Sequence, residues 1–157
     1  MSFRAIAIAV LAGAALGCSS EDPTFSLKSA TVDDVYWCPG GARDAGYDLH
    51  ATVVAHNGTA RAVAIVSATA AMKLTTVRGS WLERVGDRYD AGAKVAPTAI
   101  AATSTATLTV TIPSACTSGR WGPHASSSGS YVVTVRLVTS AGAHSITAAN
   151  PHQILAA

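Results

Sequence analysis

The chain has 157 residues and a formal charge of only +2, with 49% apolar and 6% aromatic residues. Charge this close to balance, with no basic run and no interleaving of basic and aromatic residues, speaks against a nucleic-acid partner. Large aromatic side chains are scarce, so the core must rest on Val, Ile, Leu and Ala, with three Trp as the large pieces.

Residues 1–17 have the three parts of an export signal. Arg4 gives a positive start, Ala5 to Leu16 is uninterrupted Ala, Ile, Val, Leu and Gly, and small Gly17 precedes Cys18. The apolar run is roughly a dozen residues, whereas a bilayer span needs about 20. The stretch LAGAALGC, Leu11 to Cys18, resembles the lipobox of bacterial lipoproteins. In that family the Cys is diacylated and the bond before it is cut. The resemblance implies Cys18 as a lipidated mature N-terminus, a membrane anchorage through lipid, and a location in the bacterial cell envelope. In a diderm host, Ser19 after the Cys matches the pattern sorted to the outer membrane. Several buried acyl chains hold such a protein without a transmembrane helix. Residues 18–24 then read as a short polar tether, and 25–149 as one folded domain.

Cysteine parity agrees with export. With Cys18 lipidated, Cys38 and Cys116 are the remaining pair, and an oxidising compartment favours a disulfide between them. Two free thiols are the alternative.

From Phe25 on, the pattern is β. Phe25 to Trp37 reads as one or two strands, with a break at Asp33-Asp34. Tyr47 to His56 alternates, with Tyr47, Leu49, Ala51, Val53 and Ala55 on one face. Asn57-Gly58 follows as a hairpin signal. Ala62 to Thr76 returns, with Val66, Ala68, Ala70, Met72 and Leu74 inward. Arg78 to Thr103 carries seven of the 20 charged residues and is broken by Gly and Pro. Thr105 to Ile112 points Ala106, Leu108, Val110 and Ile112 inward, and Pro113 ends it. Thr117 to Gly129 is a Gly- and Ser-rich loop holding Trp121 and His124. Tyr131 to Thr139 alternates again, Ser140 to Gly142 turns, and His144 to Ala148 pairs back. Asn150-Pro151 closes the domain and leaves 150–157 as a tail.

Evenly spaced strands with turn signals between them predict an all-β, single antiparallel sandwich of about seven strands. The pattern resembles immunoglobulin-like and fibronectin-III-like domains, most clearly over PTAIAATSTATLTVTI, Pro97 to Ile112. Cys38 follows the first strand and Cys116 the strand ending at Ile112, so a bridge would lie at one end of the sandwich. Both can sit at that end only if a further strand lies within Arg78 to Thr103, at Lys94-Val95 or Ala99 to Ala102.

The chemistry-bearing residues are dispersed. His50 and His56 share a strand face about 20 Å apart; His124, His144 and His152 are scattered and read as exposed. Neither Asp33-Asp34 nor Asp87 with Asp90 spells a calcium loop. No G-x-S-x-G and no pair of poised carboxylates occurs. No cofactor, no metal site and no enzymatic activity is expected. What remains is recognition: Trp81, Tyr89 and Trp121 are the candidate surface, since aromatic loop residues anchor interfaces, although they also plug sandwich ends. Trp37, beside Cys38, is expected to pack on the disulfide. The reading is a non-enzymatic envelope module that binds an envelope or extracellular protein. The alternative is a carrier of a small ligand, carbohydrate or metal.

Overall fold

A computed structural model of the chain describes residues 24–39, 45–116 and 127–156. Cys18, Trp121, His124, the signal segment and most of the tether lie outside them. The described residues form ten strands and no helix: β1 (Phe25–Val32), β2 (Val35–Cys38), β3 (Gly46–Asn57), β4 (Val63–Arg78), β5 (Arg88–Ala96), β6 (Ala99–Ile100), β7 (Ser104–Ala115), β8 (Ser127–Thr139), β9 (Gly142–Thr147) and β10 (His152–Ala156).

The fold is an all-β sandwich. One layer is β1-β3-β7; the other is built on β4 and β8, with β9 and β10 sharing the far edge of β8 and β2 outside β10. Side chains alternate across each strand, and the alternating apolar sets meet between the layers. Leu49, Ala51, Val53 and Ala55 of β3 are fully buried, as are Leu108, Val110 and Ile112 of β7 and Val133, Val135 and Leu137 of β8.

Two strands tie the layers together at their sides. β5 pairs β4 through Arg88 to Ala93, then crosses to pair β7 through Lys94 to Ala96. This is the strand that the cysteine placement requires between Arg78 and Thr103. On the opposite side the first strand breaks at Asp33-Asp34, leaving β1 on β3 and placing β2 on β10. Asn150 fastens that corner: its amide nitrogen donates to the Val32 carbonyl at 2.8 Å, and its oxygen accepts from the Val32 N–H at 3.0 Å. A disulfide joins Cys38, ending β2, to Cys116, just past β7, with Cα atoms 5.9 Å apart. It bridges the two layers at one end of the sandwich.

Six expectations are corrected. Asn57-Gly58 is not a hairpin, because β3 pairs only β1 and β7 while β4 pairs β5, β6 and β8. The connection crosses between layers instead. Asn57 is fully buried, and its amide nitrogen reaches the carbonyls of Arg61, Ile100 and Ala101 at 2.8–3.1 Å. Its oxygen accepts from the Thr59 N–H and hydroxyl. Here Asn serves as a buried amide, not as a residue that accepts positive φ.

Val66 is 71% exposed, because the β4–β8 ladder shifts register between Ile65 and Ser67. That bulge puts Ile65 and Ala68 inward. Pro113 does not end β7, which runs to Ala115. Beyond Thr111 no described strand lies on the β5 side of β7, and such an edge tolerates a proline.

Residues 152–156 are not a tail. β10 pairs β8 antiparallel and β2 in parallel, and buries Ile154 and Ala156. Asn150-Pro151 is therefore a detour in one long path along β8, made to reach β1. The parallel β2–β10 pair also departs from a purely antiparallel sandwich. Finally, His152, read as exposed, is buried at 1% exposure.

Candidate recognition surface

Trp81, expected on the binding face, is turned inward at the disulfide end. Its indole fills the space over Gly129, where an added β-carbon would fall 2.7 Å from Cε2. The indole N–H donates to the Tyr131 hydroxyl at 2.9 Å, and that hydroxyl donates to the Glu83 carboxylate. Trp81 therefore plugs the sandwich end, and only a glycine at 129 permits it.

Tyr89 is half-exposed on β5. It lines a cavity of about 140 Å³ together with Met72, Glu83, Tyr131 and Ile154. The cavity lies between the start of β5 and the end of β7, beyond the stretch over which those two strands pair. Tyr89 thus shares this end of the molecule with Trp81's partners, and the two aromatics do not form one exposed face.

A second polar set is internal. Tyr36 and Tyr47 stack with ring centroids 3.7 Å apart. The Tyr47 hydroxyl lies 2.7 Å from Nε2 of His152, whose Nδ1 lies 2.7 Å from the Asp33 carbonyl oxygen. The carbonyl can only accept, so Nδ1 carries the proton and Nε2 accepts from the tyrosine. Burial pushes the Tyr47 phenol up to about 12 and pushes the His152 imidazole below its usual range. Both groups stay neutral, and the chain of hydrogen bonds locks β3, β10 and the Asp33 corner together.

The other described histidines go to separate partners. His50 bonds Asp33 at 3.1 Å, His56 bonds Thr105 at 3.0 Å, and His144 packs against Phe25. Among the described residues no three His, Cys, Asp or Glu side chains converge.

Among the described residues the exposed tryptophan is Trp37, at 65% exposure. It does not pack on the disulfide, because strand alternation sends it to the face opposite Cys38. Register then builds a row across four strands on the outer face: Trp37 of β2 opposite Leu155 of β10, Leu155 opposite Ser128 of β8, and Ser128 opposite Arg78 of β4. A parallel row runs through Val35, Gln153, Ser130 and Thr76. Large side chains stand at both ends of the first row and a serine lies between them. The result is a shallow depression of about 280 Å³, lined by Trp37, Arg78, Ser127, Ser128, Gln153, Leu155 and Ala156. Among the described residues no acidic side chain lines it and Arg78 makes no ion pair. The alternation around Cys38 was the signal in the sequence that could have placed Trp37 outward; the β10 half of the face had none, because that strand reads as a tail.

No family model and no curated protein matches the chain. Three solved structures are similar in shape. The PapD-like domain 7 of human CEP192 has 10% identity and a TM-score of 0.28, covering 97% of this chain and 95% of that one. AggA, the major subunit of aggregative adherence fimbriae type I from Escherichia coli, has 10% identity and a TM-score of 0.33, covering 83% and 93%. Spo0M, a sporulation control protein from Bacillus subtilis, has 16% identity and a TM-score of 0.28, covering 81% and 49%. At these scores none bears on function.

Proposed function

We propose that this chain is a non-enzymatic recognition module of the bacterial cell envelope, held to the membrane by lipid on Cys18. Its binding face is the outer face of β2, β10, β8 and β4 around Trp37. The observation that carries this reading is the register row itself. A largely exposed indole is fixed on a sheet, beside the Gln153 amide and a guanidinium, that of Arg78, which is unpaired among the described residues. Aromatic and Arg residues of this kind anchor binding faces. The anchor is supported by LAGAALGC.

Two measurements test it. Growth with an alkyne fatty acid labels the wild-type chain, and Cys18→Ala abolishes the label; a labelled Cys18→Ala chain rejects the anchor. Crosslinking in intact host cells recovers a component that is lost with Trp37→Ala and kept with Tyr89→Ala. The reverse pattern rejects this face and favours a small-ligand carrier that uses the cavity beside Tyr89.

A further inference from the structure

The depression around Trp37 also restricts what can bind there. We infer that its ligand is an acidic glycan, stacked on Trp37 and held through its carboxylates by Arg78. The inference rests on the reading of this face as the binding face, and it names the ligand class.

Three observations lead to it. The first is shape. The row from Trp37 to Arg78 crosses three inter-strand spacings, about 14 Å of backbone. It is open along its length, with only Ser128 and Leu155 between the two ends. That suits a short run of linked rings better than one compact molecule. The second is the lining. The indole face offers an apolar plane for the C–H face of a sugar ring, and the Gln153 amide offers a donor and an acceptor for its hydroxyl edge above a floor at Ser128. The apolar surface is only Trp37, Leu155 and the flanking Val35, too small a patch for the desolvated core of a protein interface. The depression lies on the face of the sheet and not along the outer edge of β2, where a peptide strand would add. The third is charge. Among the described residues Arg78 is exposed and unpaired, and no acidic side chain lines the depression. A planar guanidinium matches a carboxylate with two parallel hydrogen bonds.

The test uses the purified full chain in mild detergent and isothermal titration with three probes: oligogalacturonate, a neutral galactose oligomer and polyglutamate. Oligogalacturonate binds most tightly. Trp37→Ala weakens it at least tenfold, with the far-ultraviolet circular dichroism unchanged because the indole is mostly in solvent. Arg78→Gln brings oligogalacturonate down to the level of the neutral oligomer. Equal binding of polyglutamate shows that charge alone is recognised and overturns the inference, as does wild-type affinity in Trp37→Ala. If no saccharide binds but the in-cell component still depends on Trp37, the ligand class falls and the face stands. If that dependence is also missing, both fall.

Discussion

The indole of Trp81 occupies the space that a side chain at residue 129 would need: a β-carbon there would lie 2.7 Å from Cε2 and 2.9 Å from Nε1. The same indole donates to the Tyr131 hydroxyl. Gly129→Ala must therefore displace the plug or the strand beneath it. Overpacking of this kind costs about 1–3 kcal/mol. Trp81→Phe keeps a ring but loses the donor, at about 1 kcal/mol. Urea titration of both variants checks the order, and a Gly129→Ala chain as stable as wild type contradicts the packing described.

Asn57 is the polar residue on which the layer crossing depends. Asn57→Ala removes a donor from the carbonyls of Arg61, Ile100 and Ala101; those of Arg61 and Ala101 keep the Thr59 and Ser104 hydroxyls, so the buried bond lost is the one to Ile100. A loss of about 1–3 kcal/mol is expected. Asn57→Asp costs more at neutral pH, because it turns a carboxylate toward the same carbonyls. The midpoint of urea unfolding reads both.

Stability falls at both pH extremes, for two named reasons. His152 is pushed below its usual range by burial, so the unfolded chain takes up its proton first on acidification. Its contribution is complete above about pH 6.5 and is lost as pH falls through the lowered folded value. Tyr47 is raised from 10.0 to about 12, so its contribution is complete below pH 10 and is lost as pH rises toward 12. Thermal melts across pH show both limbs. His152→Gln flattens the acid limb between pH 6.5 and the folded value, and Tyr47→Phe flattens the alkaline one.

The Cys38–Cys116 bridge closes a separation of 78 residues. On the chain-entropy account such a loop contributes about 4 kcal/mol. The double variant Cys38→Ala/Cys116→Ala is expected to lose about that much in urea, and the wild type with reductant to match it.

Much of the fold was legible because alternation is local. The inward sets of β3, β7 and β8 follow directly from the order of apolar residues, and the cysteine placement called for β5. What was not legible depended on distant partners. Asn57-Gly58 reads as a turn until β3 is seen pairing β1 and β7. Val66 is outward only because β4 gains a residue against β8. Residues 152–156 look like a tail because β10 completes its ladder with β8 and β2, more than 20 and 110 residues away in sequence. The tryptophans exchanged roles for the same reason. Trp81 sits in an irregular stretch, and its burial depends on a glycine 48 positions later. Trp37 was paired with the neighbouring cysteine by proximity in sequence, whereas the strand puts the two on opposite faces.

The most direct test of the binding face is residue-resolved photo-crosslinking in intact host cells, with benzoylphenylalanine placed at Gln153 in one chain and at Thr107 in another. Gln153 lies in the row beside Trp37, and Thr107 is exposed on the outer side of the opposite layer. A crosslinked product from Gln153 that vanishes with Trp37→Ala, and none from Thr107, is the expected result. Equal products from both positions, or a Gln153 product indifferent to Trp37→Ala, would contradict it.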